Sequence, residues 1–174
     1  MTTLPTKIMI FGRPGGGKST FALKLHKATG IPLHHLDKYF YVSNWIERDY
    51  QEFLSLQQAI VDKSSWIIDG NCTRSLKMRY HRANLVVYFN YPRWLCYWRI
   101  FKRLFNKNTE INDRADGCEE TINLKLLSYM WSFENRVAEQ IKNLKKQCPH
   151  TRFIEIKSDK DLQQLEHELT SKYF

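Results

Sequence analysis

The chain has 174 residues, of which 43% are apolar and 14% aromatic, and this is enough to bury the core of one domain. Its 27 Lys and Arg residues outnumber 18 Asp and Glu, and the formal charge of +9 favours anionic partners such as phosphates or nucleic acid backbones. The four cysteines form no CxxC pair and no zinc-ligand spacing, which argues against a metal cage or a redox motif. The sequence shows no basic and apolar leader and no apolar run of bilayer length, so we expect a cytoplasmic protein.

The first predicted unit is a strand, a glycine-rich loop and a helix. Residues 7–11 (KIMIF) form a short apolar run that predicts a buried strand, and residues 18–29 show helical spacing before Gly30. Between them, residues 12–19 read GRPGGGKS and fit the pattern G-x-x-x-x-G-K-[ST]. Because the motif lies between a strand and a helix, it predicts a phosphate-binding loop rather than a glycine-rich turn with an exposed lysine.

This loop predicts a site for ATP or GTP with Mg²⁺. Its backbone N–H groups and the start of the following helix favour negative charge, and Lys18 is expected to reach the β- and γ-phosphates. Ser19 offers a hydroxyl to Mg²⁺. The predicted nucleotide-binding residues of this segment are Gly12, Pro14, Gly15, Gly16, Gly17, Lys18, Ser19 and Thr20.

Strands and helices alternate along the rest of the chain. Further strands are predicted at residues 31–36, 66–68, 85–89 and 152–156. Helices are predicted at residues 48–63 and 93–106, as a pair within 119–147, and after Ser158 or Asp159 with Leu162, Leu165 and Leu169 facing inward. The order predicts one three-layer α/β domain over residues 1–174, with helices on both faces of a parallel sheet. The polar stretch at about residues 107–118 is the predicted lid.

Asp69 ends the third predicted strand, where the phosphate loop should also lie. Its carboxylate is a second candidate metal ligand beside Ser19, holding Mg²⁺ through water; the alternative is that Asp69 and Gly70 make a tight turn. Asn90 ends the neighbouring strand without a charge, so we expect a hydrogen-bonding role for it. His34 and His35 alternate across the second strand, so at most one of them faces the site.

Five segments together resemble the DNA topology modulation proteins, bacterial relatives of adenylate kinase. They are GRPGGGKST, IPLHHLD, WIIDGN, YPRWLCYWRIFKR and RADGCEE, which begin at residues 12, 31, 66, 91 and 114. The resemblance spans nearly the whole chain and implies a P-loop fold of five parallel strands in the order 2-3-1-4-5. One departure is Asn90, since those relatives commonly carry Asp before the Pro-Arg step.

The resemblance to adenylate kinase also implies roles for several side chains. Arg99 and Arg103 correspond to arginines beside the nucleotide base and phosphates, and their spacing of four residues places both on one helix face. The alternative is a solvated basic face. By likeness to related small-molecule kinases, Asp37 is expected to bind or deprotonate the acceptor; the alternative is that it caps a helix or forms a salt bridge with Lys38. Arg114 would close over phosphate. The predicted catalytic residues are Lys18, Asp37, Arg99, Arg103 and Arg114.

The predicted function is transfer of the γ-phosphoryl group of ATP or GTP to a nucleotide or other small acceptor. The aromatic residues Tyr39, Phe40, Tyr41 and Trp45 either line the acceptor pocket or belong to the core. The alternative function is a nucleotide-binding regulator that associates with nucleic acid and hydrolyses nucleoside triphosphate slowly. A third possibility is a P-loop scaffold without turnover.

Overall fold

The computed structural model describes residues 5–42, 44–105 and 124–173. Arg114 and the lid predicted at 107–118 lie outside these ranges. Five parallel strands form one sheet in the order β2-β3-β1-β4-β5, which confirms the predicted topology. The strands are β1 (Lys7–Gly12), β2 (Leu33–His35), β3 (Trp66–Asp69), β4 (Leu85–Phe89) and β5 (Arg152–Ile156).

Six of the seven helices in these ranges lie between strands along the chain, and the seventh follows β5. They are α1 (Lys18–Thr29), α2 (Leu36–Phe40), α3 (Tyr50–Val61), α4 (Leu76–Tyr80), α5 (Arg93–Phe105), α6 (Leu124–Gln147) and α7 (Asp159–Tyr173), with a 3₁₀ turn at Thr73–Ser75 before α4. The prediction of a pair of helices within 119–147 was wrong for the described part, which is the single helix α6. No helix in the described residues is both long and apolar enough to cross a membrane.

The central strands are buried on both faces, which explains their continuous apolar sequences. Side chains alternate along β1, so Ile8 and Ile10 pack against α1, α5 and α7, whereas Met9 and Phe11 pack against α3, α4 and α6. Helix α7 buries Leu165 and Leu169, as predicted from their spacing. The fold is therefore a three-layer sandwich with one core on each side of the sheet.

Gly70, directly after β3, occupies a position that excludes any larger residue. Its φ is +153°, and a Cβ atom placed there would lie 2.6 Å from the Cβ of buried Leu36 in α2. Gly30, which ends α1, also has a positive φ of 69°, but an added Cβ would meet nothing within 4 Å. A side chain at Gly30 would therefore introduce backbone strain alone, whereas one at Gly70 would introduce both backbone strain and steric overlap.

We expect Gly70→Ala to lower the free energy of unfolding more than Gly30→Ala. Backbone strain alone should cost about 1–2 kcal/mol at either position. Displacement of Leu36 should add about 1–3 kcal/mol for Gly70→Ala. Urea unfolding of the two variants and the parent protein measures both losses, and equal losses would contradict the close packing between α2 and the end of β3.

Candidate functional site

The predicted phosphate loop runs from the end of β1 to the start of α1 and is anchored by Arg13. The Arg13 side chain is only 2% exposed; it donates one hydrogen bond to the Tyr91 carbonyl at 2.5 Å and another to the Glu134 carboxylate at 3.1 Å. The Arg13 backbone N–H donates to the Phe89 carbonyl at 3.0 Å. Because a buried guanidinium is costly unless it is paired, these contacts make Arg13 an anchor of the loop.

The loop that follows β3 lies beside the phosphate loop and is held by two side chains. Asn71 accepts a hydrogen bond at 2.9 Å from the Gly12 N–H, which ties the two loops together. Arg79 in α4 is fully buried and donates to the carbonyls of Gly70 at 2.9 Å and Cys72 at 2.7 Å. Burial lowers the pKa of Arg79 to about 10, so the guanidinium stays charged at neutral pH.

Lys18 is the first residue of α1, and its ammonium group donates to the Arg13 carbonyl at 3.1 Å. Burial lowers the pKa of Lys18, whereas the nearby carboxylates of Asp69 and Asp37 act in the opposite direction. The lysine and both predicted carboxylates therefore share one electrostatic environment. Ser19 follows Lys18, and both residues line a cavity that is described below.

Asp69 ends β3 and is 4% exposed. Its Oδ2 atom accepts a hydrogen bond from His35 Nδ1 at 3.0 Å, whereas its Oδ1 atom is buried and accepts none from the described residues. A buried carboxylate oxygen without a donor is costly, and such an oxygen suits a hard cation such as Mg²⁺. The described residues contain no cluster of three or more His, Cys, Asp or Glu side chains arranged around a metal. A Mg²⁺ ion bound with a nucleotide needs few protein ligands, so Ser19 and Asp69 fit it.

One cavity of about 500 Å³ joins these groups. It extends from the phosphate loop, at Lys18 and Ser19, past Asp69 to Asp37 at the start of α2. Its apolar and aromatic walls are formed by Leu36, Phe40, Tyr41, Trp45, Ile100, Leu126 and Tyr129. The structure thus places three of the four aromatic residues predicted between 39 and 45 on the cavity wall. Tyr39 instead contacts His34 through its hydroxyl at 2.7 Å.

The two arginines predicted to act together on α5 have different surroundings. Arg103 lines the cavity, one turn beyond Arg99. Arg99 donates to Asp159 at 2.6 Å and to the Gly16 carbonyl at 3.4 Å, and its guanidinium lies 4.4 Å from the centre of the Tyr91 ring. Arg99 therefore connects the phosphate loop to α7, whereas Arg103 is the arginine of this pair that reaches the cavity.

Of the remaining predicted residues, some line the cavity and others lie outside it. Pro14 and Gly15 line the cavity, while Thr20 is exposed in the first turn of α1. Asn90 donates to the Glu155 carboxylate at 2.8 Å, which agrees with its expected hydrogen-bonding role. Arg74, which was not among the predicted site residues, also lines the cavity, and its guanidinium lies 3.9 Å from the centre of the Tyr50 ring.

Polar residues of the site that were not assigned functional roles from the sequence include Arg13, His35, Asn71 and Arg79. Arg13 and His35 contact groups far along the chain, Glu134 and Asp69 respectively, whereas Arg79 contacts the nearby carbonyls of Gly70 and Cys72. The sequence contained one usable signal, because His35 lies near the end of the strand predicted at 31–36, Asp69 directly follows the strand predicted at 66–68, and the two strands are neighbours in the sheet.

No protein-family model and no curated protein matches this sequence. Solved structures do match. They include shikimate kinase from Acinetobacter baumannii in complex with shikimate, at 13% identity and a TM-score of 0.58, with 98% of this chain and 96% of that chain covered. Shikimate kinase from Bacteroides thetaiotaomicron matches at 14% identity and a TM-score of 0.58, covering 95% of this chain and 98% of the other. An uncharacterized protein from Eubacterium ventriosum matches at 14% identity and a TM-score of 0.51, covering 94% of this chain and 98% of the other.

At these identities the likeness establishes the fold alone, which this chain shares with the two shikimate kinases. The matches cover nearly the full length of both chains, so the likeness extends from the phosphate loop through α7. The sheet order and the helices on both faces agree with it.

Proposed function

We propose that this chain is a cytoplasmic phosphotransferase that moves the γ-phosphoryl group of ATP or GTP to a nucleotide or another small acceptor. The observation that carries the proposal is the continuous cavity, in which the phosphate-loop residues Lys18 and Ser19 face the same space as Asp37 and an aromatic wall. Phosphoryl transfer requires donor and acceptor to lie in line within one enclosed site. The narrower resemblance to the DNA topology modulation proteins stays a prediction.

The phosphate loop would bind the nucleoside triphosphate through the backbone N–H groups of residues 12–19 and through the Lys18 ammonium. Lys18 now donates to a neutral carbonyl, and a phosphate oxygen is a stronger acceptor for the same ammonium. Ser19 and Asp69 would hold Mg²⁺, which neutralises charge on the phosphate oxygens when bound. Because Arg13 and Asn71 already hold the loop, little reorganisation would accompany binding.

Charge stabilisation during transfer would come from cations in and beside the cavity. Arg103 lines the cavity together with Lys18, and both would act on the transferred group. Arg99, on α5, would act on the phosphate loop through its hydrogen bond to the Gly16 carbonyl. We retain Arg114 as the proposed lid residue, as the resemblance implies.

The acceptor would occupy the end of the cavity near Asp37. The Asp37 carboxylate would accept the proton of an acceptor hydroxyl or hold that hydroxyl in place. Tyr41 and Trp45, whose rings meet edge to face at 5.0 Å, would form the wall against which the acceptor packs. A structural neighbour described in complex with shikimate makes small hydroxylated compounds a natural group to test beside nucleotides.

The excess of Lys and Arg supports a second candidate, a nucleotide-dependent regulator bound to nucleic acid. The two functions differ in what they predict in vitro. The regulator requires nucleic acid binding that weakens steeply with salt, without phosphorylated product from any acceptor. Mass spectrometry of an acceptor panel incubated with ATP and Mg²⁺ tests for transfer, and salt titration of nucleic acid binding tests for the regulator.

We expect Lys18→Ala to reduce turnover by at least 10²- to 10³-fold, on the order found when one preorganised contact to developing charge is removed. Lys24→Ala is the matched control, because Lys24 lies on the same helix but is 62% exposed and pairs with Glu166. A coupled assay of nucleoside diphosphate release measures turnover. Normal turnover in Lys18→Ala would show that the phosphate loop is not the donor site.

We expect Asp37→Asn to leave nucleotide affinity within about twofold while slowing transfer by roughly 10²- to 10⁴-fold, if Asp37 accepts the proton. The amide keeps the shape of the side chain but loses its basicity. Asp62→Asn, in an exposed ion pair with Arg82, provides the control. Fluorescent-nucleotide titration and single-turnover transfer measure the two effects separately, and equal losses in both would indicate a structural role.

A further inference from the structure

The contact between His35 and Asp69 follows from the order of the strands. His35 ends β2, Asp69 ends β3, and the two residues are register partners in adjacent parallel strands. Side chains at paired positions project from the same face of a sheet. His34 is paired with Ile68, projects from the opposite face and contacts Tyr39. Only the second histidine of the pair can therefore reach the predicted metal carboxylate.

The two oxygens of the Asp69 carboxylate have different surroundings. His35 Nδ1 lies 3.0 Å from Oδ2, and since a carboxylate only accepts, Nδ1 carries the hydrogen. The side chains are 12% and 5% exposed, so the bond is shielded from water. Oδ1 is buried and receives no hydrogen bond from the described residues. One oxygen is thus held in place while the other remains available to a cation.

We propose that His35 is a positioning residue that holds Asp69 with one oxygen free for the Mg²⁺ ion of the bound nucleotide. The inference rests on the proposed function, because it concerns the metal of the same nucleotide site. Residues that orient metal-binding side chains through hydrogen bonds typically affect metal affinity by about 10- to 100-fold. His35 belongs to this class.

The experiment compares variants that remove the donor with one that restores it. His35→Leu removes the donor, and His35→Asn places an amide N–H close to the position of Nδ1. His35→Gln carries its N–H one bond farther away and tests donor position if His35→Leu does not fold. His34→Leu removes the neighbouring histidine from the other face and is the matched control.

The measurement is a titration of Mg²⁺ against each variant in the presence of a fluorescent ATP analogue. We expect His35→Leu, or His35→Gln in its place, to raise the half-saturating Mg²⁺ concentration by about 10-fold or more. His35→Asn and His34→Leu should stay close to the parent protein. In EDTA, which removes Mg²⁺, the Kd of His35→Leu for the analogue should rise by a smaller factor than its half-saturating Mg²⁺ concentration does.

Two results would overturn the inference. One is a Mg²⁺ requirement unchanged in His35→Leu; the other is a loss in His35→Asn as large as that in His35→Leu, which would show that donor position is irrelevant. A parent protein that fails to bind the analogue at any Mg²⁺ concentration would instead refute the proposed function itself. Thermal unfolding of each variant separates these outcomes from a general loss of fold.

Discussion

The constraint on which the site depends is the adjacency of parallel strand ends. In the order β2-β3-β1, the carboxyl ends of three strands meet at one edge of the sheet. Each strand delivers one polar element there: β2 ends at His35, β3 at Asp69, and β1 leads through its loop to Lys18. These residues are far apart in sequence, and only the parallel arrangement brings them around one cavity.

Two buried arginines fix the loops that this arrangement creates. Arg13 holds the phosphate loop through the Tyr91 carbonyl and Glu134, and Arg79 holds the loop after β3 through two backbone carbonyls. Each guanidinium gives up water, and each is compensated by contacts to oxygen. The loops are therefore shaped by the interior of the protein, so their N–H groups and side chains need little ordering when a ligand binds.

The sequence predicted the elements whose burial pattern is long and simple. Strands β1, β3 and β4 are continuous apolar runs, which is the pattern of a parallel sheet covered on both faces. Helices α2 and α4 have five residues each, too few for helical periodicity to emerge. Helix α6 was expected as two helices, yet its buried apolar residues recur at intervals of three or four, as in one continuous helix, from Met130 to Leu144. In the site, Lys18 and Asp69 were predicted from local motifs, whereas the Arg13 to Glu134 contact spans 121 residues and leaves no local pattern.

The charges around the cavity favour a triphosphate bound together with a divalent cation over a triphosphate bound alone. Among the described residues lining it are the carboxylates of Asp37 and Asp69, which lie on the path from the phosphate loop to the aromatic wall. Lys18 and Arg103 oppose them, but a triphosphate alone would bring further negative charge beside both carboxylates. A cation held by Asp69 would change that repulsion into attraction. The proposed metal and the proposed nucleotide would thus be coupled through Asp69, and the hydrogen bond from His35 would leave Oδ1 as the oxygen that takes part.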